Sequence, residues 1–169
     1  NEYLPSCTSK ALSYNDISGY WNRGQILGAF GSFDENPTLK AADEYNKYYP
    51  VPATTTGWYL PSSGQCWDLL QYLGGCPALA DPAEQTDATP HYANWWKQGD
   101  IPASLNKWMA KIADKDKDIF GGRELFWTST LCVRQEFCLF SFNTDALYWY
   151  SNDELTYESR HLVRPVLAF

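Results

Sequence analysis

The sequence changes its hydrophobic period once, near residue 125, and this change limits the possible folds more than any other feature. Before it, apolar residues recur at helical spacing in stretches that begin near Asn36, Ser62 and Ser104. After it, short aromatic or β-branched runs alternate with turn residues at 126–131, 137–142, 146–150 and 161–169. Helices followed by an antiparallel meander predict one α+β domain over residues 1–169.

The first two predicted helices carry clear start signals. Asn36 is an N-cap with Pro37 in the first turn, and Pro50 ends that helix. Its predicted inner side is Ala41, Ala42, Tyr45, Tyr48 and Tyr49. Ser62 and Gln65 have the spacing of a capping box, and Gly74-Gly75 ends the second helix. Its apolar face is Cys66, Leu69, Leu70 and Leu73.

Two further regions have weaker signals. The third predicted helix starts at about Ser104 and presents Leu105, Trp108, Met109 and Ile112 at helical spacing. Residues 1–35 carry only weak strand signals, at Ile17–Trp21 and Gln25–Phe30. The N-terminal segment is therefore the least defined part of the predicted domain.

The charge and hydropathy of the sequence argue against a nucleic-acid partner and against a membrane-spanning segment. The net charge is −7 and the pI about 4.7, and Lys and Arg form no basic run, so a nucleic acid would be repelled. No segment approaches the roughly 20 apolar residues of a membrane span. The chain begins at Asn1 without Met or an apolar signal core, which is expected of a mature or trimmed segment.

The five cysteines lack the spacing of a zinc or redox motif. Two short-range disulfides are sterically possible. Cys66–Cys76 would join the second helix to the loop after it, and Cys132–Cys138 would cross the mouth of a hairpin. Buried free thiols are the alternative in each case. The odd count leaves at least one thiol unpaired within the chain, and export is favoured over a reducing compartment.

No catalytic or metal-binding constellation emerges. The two histidines, His91 and His161, form no recognisable triad or zinc motif. The acidic run 114–118 matches three ligand positions of an EF-hand, but Ile119 stands where Gly is required and Leu125 where Glu is required. The sequence predicts no catalytic residue, no metal site and no cofactor, and we expect a protein that is not an enzyme.

The aromatic residues are the better candidates for function. Tyr92, Trp95 and Trp96 lie in the long polar connection 75–103, where no period indicates core packing. Such rings can stack on sugar faces or anchor a partner protein, or they can fold back over a satellite cluster. Trp149 lies in a predicted strand where alternation leaves a ring exposed or covered by another chain. These four are the predicted ligand-binding residues.

Three motifs together resemble a known family. GWYLP at 57–61, FWTST at 126–130 and VRPV at 163–166 are similar to Gly-Trp-x-Leu-Pro, Tyr-Trp-Ser-Ser-Thr and Val-Arg-Pro-Val. This pattern is typical of the C-type-lectin-like domain of exported proteins from gut Gram-negative anaerobes, similar to the C-terminal domain family of the Legionella collagen-like adhesin. Phe126 and Thr128 are the mild departures. The resemblance spans roughly residues 36–169.

The resemblance implies a twisted antiparallel sheet with two or three flanking helices and long loops. Trp58, Pro61, Ser62 and Trp127 would have structural roles, with Trp58 and Leu60 in the core. It also implies export, often as a lipoprotein or fimbrial component, and adhesion or glycan binding in some relatives. The motifs of calcium-dependent lectins are missing. Formylglycine-generating enzymes share the broad fold, but their paired cysteines have no counterpart in any motif here.

The leading hypothesis is a non-enzymatic binding or adhesion module at the cell surface or outer membrane, with a glycan or a surface protein as ligand. The precursor would be exported and lipid-anchored. The alternative is a structural fimbrial or surface-assembly subunit, which would accept a donated strand near Pro165 or at its N-terminal segment. An enzyme on the formylglycine-generating scaffold is the third hypothesis.

Arg164 is the last predicted structural residue. It lies in an apolar run, on the strand face that carries Leu162 and Val166. A buried guanidinium without partners is costly. We therefore expect Arg164 to be largely buried and hydrogen-bonded to backbone carbonyls or to a carboxylate, which would fix the last strand to the sheet. The alternative is an Arg that faces a ligand.

Overall fold

The computed structural model describes residues 12, 15–75, 92–94, 101–112, 119–121, 125–131, 137–142, 147–150 and 161–168. Their fold is α+β, as predicted. In chain order the elements are α1 (Gly19–Phe30), α2 (Pro37–Tyr48), α3 (Ser63–Tyr72), β1 (Tyr92–Asn94), α4 (Ile101–Met109), β2 (Leu125–Leu131), β3 (Phe137–Phe142) and β4 (Leu147–Tyr150).

The four strands form one antiparallel sheet in the order β1-β4-β3-β2. The meander β2-β3-β4 confirms the strands predicted in the last third of the chain, with bounds shifted by one residue at most. Strand β1 was not predicted. It belongs to the connection 75–103 and pairs with β4 at the end of the sheet. Three residues are too few for an alternating pattern to be recognised.

Helices cover both faces of β2. On one face, α3 and α4 pack Trp67, Leu70 and Leu105 onto Phe126 and Phe140, and the Trp67 and Phe140 rings meet edge to face at 4.8 Å. On the other face, residues of α1 and α2 form a second apolar cluster together with Phe33, Leu60 and Leu131; its helical members are Ile26, Leu39 and Ala42. The neighbouring residues Phe126 and Trp127 contact opposite clusters, as strand alternation requires.

The N-terminal prediction was wrong, because the chain at Gly19–Phe30 is helical instead of forming strands. Helix α1 has almost no amphipathic character: apolar residues lie on every side of it. Only Gly19, Asn22 and Ile26 are buried. A helix of this kind is positioned by tertiary contacts, which no local period reveals.

Helix α2 begins as predicted, with the side chain of Asn36 accepting a hydrogen bond from the Leu39 backbone N–H at 3.1 Å. The predicted inner side was partly wrong. Leu39 and Ala42 are buried, whereas Tyr48 is 74% exposed. Helix α4 begins at Ile101, earlier than predicted, and buries Ile101 and Leu105. Trp108 and Ile112, which were also predicted on the inner face, are exposed.

The junction into α3 is a capping box, as the sequence predicted. Ser62 is the N-cap, and its backbone N–H donates to Gln65 Oε1 at 3.0 Å. Gln65 Nε2 in turn donates to the Tyr59 hydroxyl at 2.8 Å. The core residues before the junction are Tyr59 and Leu60. Trp58 is only half-buried, which corrects its predicted core position, and its indole N–H donates to the Tyr49 carbonyl at 2.7 Å.

The end of the chain is not the predicted strand 161–169. Residues 161–168, which we call the closing segment, form two isolated bridges instead. One joins Leu162 to Phe126 in parallel, and the other joins Val166 to Tyr59 in antiparallel orientation. Pro165 lies between them, where the segment changes partner, and it has no N–H to donate.

The packing of α1 against the α3 capping box predicts opposite effects for two glycines of α1. A Cβ at Gly19 would lie 2.3 Å from Gln65 Oε1 and 2.8 Å from the Ser62 nitrogen, whereas a Cβ at Gly24 meets nothing within 4 Å. Gly19→Ala should lower the free energy of unfolding by about 1–3 kcal/mol. Gly24→Ala should raise it by about 0.5–1 kcal/mol. Urea denaturation of both variants checks this, and equal effects would contradict the described packing.

Candidate functional site

A buried set of hydroxyl groups joins three elements of the fold. Thr128, Ser129 and Thr130 of β2 are all buried, as are Ser62 and Ser63 at the start of α3. The Ser63 backbone N–H donates to Thr130 Oγ1 at 2.7 Å. Thr128 Oγ1 lies 3.3 Å from Ser63 Oγ and donates to the Cys138 carbonyl at 2.9 Å. We call these side chains, with Asp16 and Asn22, the hydroxyl network.

The N-terminal part of the chain is bound to this network. Thr130 Oγ1 donates to the Asp16 carboxylate, and the Asp16 carbonyl accepts from the Gly64 N–H at 2.8 Å. Asn22 of α1 donates from Nδ2 to both the carbonyl and the hydroxyl of Ser129, each at 3.2 Å. The hydroxyls are buried and hydrogen-bonded, which suits a role in holding α1, α3 and β2 together by hydrogen bonds rather than a role as nucleophiles.

A small apolar cavity lies beneath the closing segment. Its volume is about 40 Å³, and Pro61, Cys66, Leu69, Phe126, Arg164 and Val166 are among its lining residues. A space of this size holds roughly one or two water molecules, whereas ligand sites usually measure about 300–1,000 Å³. The cavity is therefore a packing defect and too small to hold a sugar.

Of the two described cysteines, one is a free thiol and the other forms a disulfide. Cys66 is a buried free thiol, so the Cys66–Cys76 disulfide is not formed. Its helix face packs into the apolar cluster with Trp67 and Leu70. Burial raises the pKa of the Cys66 thiol to about 12. Cys138 is disulfide-bonded, with a partner outside the described residues; Cys132 and Cys76 also lie outside them.

Arg164 is half-buried, and a backbone carbonyl and two phenyl rings hold its guanidinium in place. Its Nη2 donates to the Ile119 carbonyl at 3.1 Å. The guanidinium carbon lies 3.9 Å from the centroid of Phe120 and 5.5 Å from that of Phe126. The predicted hydrogen bond to a backbone carbonyl is therefore confirmed, while the burial is less complete than expected. Trp127 is also half-buried and meets the His161 ring edge to face at 5.3 Å.

The predicted ligand-binding aromatics are not brought together within the described residues. Trp95 and Trp96 lie outside them. Tyr92 pairs with Tyr150 and Trp149 pairs with Ala93 in the β1–β4 ladder. Residues that pair directly share a face of the sheet, and consecutive residues alternate. Tyr92 and Trp149 therefore occupy register positions on opposite faces of the sheet.

The edge of the sheet near Pro165 is not open, which corrects the predicted site for strand addition. Beyond β2, Trp127 N donates to the Leu162 carbonyl at 3.0 Å and Leu162 N donates to the Leu125 carbonyl at 2.8 Å. Further along the closing segment, Val166 and Tyr59 exchange two hydrogen bonds of 2.9 Å. The segment is thus paired on both sides.

Beyond the closing segment, the side chain of Asn46 covers the exposed backbone edge at Trp58. Asn46 of α2 accepts from the Trp58 N–H through Oδ1 at 2.7 Å and donates from Nδ2 to the Trp58 carbonyl at 2.9 Å. The Asn46 amide therefore makes the two backbone hydrogen bonds that a neighbouring strand would otherwise make. Gly57 has φ +76°, and a Cβ there would lie 2.9 Å from Asn46 Oδ1. At this end the sheet is closed by the closing segment, residues 56–59 and Asn46 in succession.

The opposite end of the described sheet is β1. No described strand pairs with its outer side. The described residues also contain no group of three His, Cys, Asp or Glu side chains placed to hold a metal. Of the helices described, none is long and apolar enough to cross a membrane.

Comparisons with known proteins give a fold and no family. No family model matches the chain. The crystal structure of a fimbrial protein from Bacteroides ovatus is similar over 90% of this chain, with a TM-score of 0.56 and 18% identity. The chain covers 25% of that protein. Piwi-like protein 2 from Schmidtea mediterranea matches a local stretch of 57 residues with 42% identity. This stretch is 33% of the present chain and 7% of that protein.

The contacts of Arg164 predict a moderate structural role. Arg164→Ala removes the hydrogen bond to Ile119 and the stacking on Phe120, and we expect it to lower the free energy of unfolding by about 1–2 kcal/mol. Arg164→Lys keeps the charge without the planar group, so its loss should be smaller. Thermal melts of both variants measure this. An unchanged Tm for Arg164→Ala would contradict the structural role.

The buried Cys66 thiol predicts a specific loss of stability at high pH. Above its ordinary pKa of 9.0 the unfolded thiol loses its proton, while the folded thiol keeps it until about pH 12. The folded state then binds more protons, so the free energy of unfolding falls as the pH rises through this range. Between pH 8 and pH 10 the loss due to this group should be about 1–2 kcal/mol.

Comparison with Cys66→Ala isolates this effect, because all other titrating groups are shared. Urea denaturation at pH 8 and pH 10 should show a steeper loss of stability for the unmodified chain than for Cys66→Ala. Parallel losses in the two proteins would show that the thiol is not buried in the protonated form.

Proposed function

We propose that this chain is a structural domain of a protein that assembles at the cell surface, and that it has no catalytic activity. The observation that supports this best is the similarity in fold to a fimbrial protein over 90% of the chain. Because the chain covers only 25% of that protein, the proposed role is that of one domain within a larger subunit. This favours the structural alternative over the glycan-binding hypothesis.

The state of the cysteines fits an exported protein. Cys138 is disulfide-bonded, and structural disulfides persist in oxidising compartments outside the cytosol. The buried Cys66 thiol, with its raised pKa, is protected from oxidation and exchange. We therefore propose that the protein is exported to the cell surface; a lipid anchor on the precursor stays a prediction from the resemblance.

The β1 end of the sheet is the proposed place of contact with a neighbouring subunit. The other end is closed by the closing segment and by the Asn46 amide. Among the described residues, β1 is the strand left with an unpaired outer side. An extended segment of another subunit could add to it through backbone hydrogen bonds, which need no particular side chains.

The narrower reading is a C-type-lectin-like domain that also binds a glycan or a surface protein. The three motifs support it, because they lie on elements that meet in the structure: Tyr59 of the first motif pairs with Val166 of the third, and Phe126 of the second pairs with Leu162, which directly precedes the third. Tyr92, Trp95, Trp96 and Trp149 stay predicted ligand-binding residues. Tyr92 and Trp149 occupy register positions on opposite faces of the sheet, and Trp95 and Trp96 lie outside the described residues.

The assembly proposal is tested on material from the cell envelope. The chain, tagged and expressed in its own full-length protein, is extracted with mild detergent and its mass is measured by native mass spectrometry. We expect complexes that contain more than one subunit. Recovery of free monomer alone would overturn the proposal.

Two proline substitutions test the place of contact. Consecutive residues of an antiparallel strand alternately direct their N–H toward the partner strand or away from it. Of Ala93→Pro and Asn94→Pro, one therefore removes an outward donor while keeping the β1–β4 ladder, and the other weakens that ladder. We expect the variant that keeps the Tm of the unmodified protein to lose the complexes. Complexes unchanged in both variants would exclude the β1 edge.

A further inference from the structure

The closing segment lies outside both apolar clusters of the domain. Residues 161–168 are half-buried or exposed, and none of them is a buried member of either cluster. Val163 contacts the second cluster as a partly buried neighbour, and Leu162 is 44% exposed. Detachment of the segment would leave the buried residues of both clusters in place, so the segment can open at a lower free energy than the whole domain.

The elements beneath the segment are held together by contacts that do not involve it. The Ser63 N–H and the Thr130 hydroxyl join α3 to β2, and the Thr128 hydroxyl donates to the Cys138 carbonyl of β3. Strands β2 and β3 also form their own antiparallel ladder. The surface on which the closing segment lies is therefore preserved when the segment leaves it.

Hydrogen bonds attach the segment at three places. Leu162 bonds to the backbone of β2, and Val166 exchanges two hydrogen bonds of 2.9 Å with Tyr59. The Ala168 N–H donates to Thr56 Oγ1 at 3.0 Å, and the Thr56 N–H donates to the Ala168 carbonyl at 3.0 Å. Water replaces such bonds when a segment detaches, so each of them contributes little net stability.

The packing beneath the segment is incomplete. The cavity of about 40 Å³ lies between α3, β2 and the segment, which contributes Arg164 and Val166 to its lining. At the start of the segment, His161 Nε2 is buried and has no hydrogen-bond partner among the described residues. Opening would let water reach this nitrogen, which removes the cost of an unmade bond. Both features favour detachment of the segment.

We propose that the closing segment is a strap that opens as one unit while the rest of the domain stays folded. Its two bridges are single residue pairs, and pairing this short does not persist when the neighbouring attachment is lost. Opening uncovers the backbone of β2 at Leu125 and Trp127. It also removes Arg164 and Val166 from the wall of the cavity that Cys66 lines. The strap thus controls access to the Cys66 thiol.

Cys66 serves as a reporter of the opening. Its side chain is buried, and burial raises the pKa of the thiol to about 12, so the closed state holds a protonated, unreactive thiol. Methyl methanethiosulfonate is a small probe for the open state. The exposed thiolate attacks its divalent sulfur, displaces methanesulfinate and becomes a methyl disulfide. Mass spectrometry of the peptide that contains Cys66 gives the labelling rate in the full 169-residue chain.

Urea distinguishes opening of the strap from unfolding of the domain, because it favours a reaction in proportion to the surface exposed. Where the labelling rate is proportional to the probe concentration, it measures the equilibrium constant of opening. We expect this constant to rise with urea much less steeply than the global unfolding constant measured by circular dichroism. Equal slopes from zero urea upward would overturn the inference, since the thiol would then be exposed by global unfolding alone.

Two variants separate the attachment of the strap from global stability. Thr56→Val removes the hydroxyl that accepts from Ala168, and Thr56 does not line the cavity. It should raise the labelling rate in low urea about three- to tenfold. Asn36→Ala is the matched control, because it removes the cap that accepts from Leu39 and lowers global stability without a contact to the segment. It should leave that rate unchanged. A rate unchanged in Thr56→Val, or raised equally in both variants, would contradict the inference.

Amide hydrogen exchange tests whether the attachments open together. The N–H groups of Thr56, Tyr59, Trp127, Leu162 and Val166 all donate across the boundary of the segment. We expect one shared free energy of opening for them, below that of the amides paired between β2 and β3. Different values would show that the segment frays residue by residue and is not a strap. The inference is independent of the proposed function, since both measurements follow the chain without a partner.

Discussion

The hydrogen bonds between α3 and β2 are the interaction on which the other contacts depend. Ser63 and Thr130 are joined at 2.7 Å, and Thr128 connects the same pair of elements to β3 through the Cys138 carbonyl. These groups are buried, so an unmade bond would leave a polar atom without compensation, at a cost of about 1–3 kcal/mol. That penalty fixes the position of α3 along β2. Asp16 and Asn22 then bind α1 to the same network.

The hydroxyl network buries polar side chains in the interior of the domain. The closing segment, in contrast, completes the sheet through backbone hydrogen bonds. Leu162 and Val166 pair with different elements, and the side chains of the segment are only half-buried, above a cavity of about 40 Å³. Arg164 compensates for the loose packing by stacking on Phe120 and bonding to Ile119. The segment is held mainly by hydrogen bonds and one planar cation, so its contribution is to close the sheet edge rather than to fill the core.

Features encoded by local hydrogen bonds could be predicted from the sequence. The Asn36 cap and the Ser62–Gln65 box depend on residues three apart, and both are present. The β2-β3-β4 meander was predictable because each strand has its own alternating pattern. Helix α1 could not be predicted, since its anchor, Asn22, bonds to Ser129 at a separation of 107 residues. The hydroxyl network was missed for the same reason: Ser and Thr in a strand resemble ordinary solvent-facing residues until α3 is placed over them.

The candidate site shows the same division between local and long-range information. The sequence indicated aromatic ligand-binding residues in the connection 75–103 and at Trp149, but strand register decides which positions share a face, and those of Tyr92 and Trp149 do not. It also indicated an open edge near Pro165, but the closing segment pairs with β2 and with Tyr59, and the Asn46 amide covers the backbone of Trp58 beyond it. In both cases the partners lie far apart in the sequence, so only the folded chain shows which faces share residues and which edges are covered.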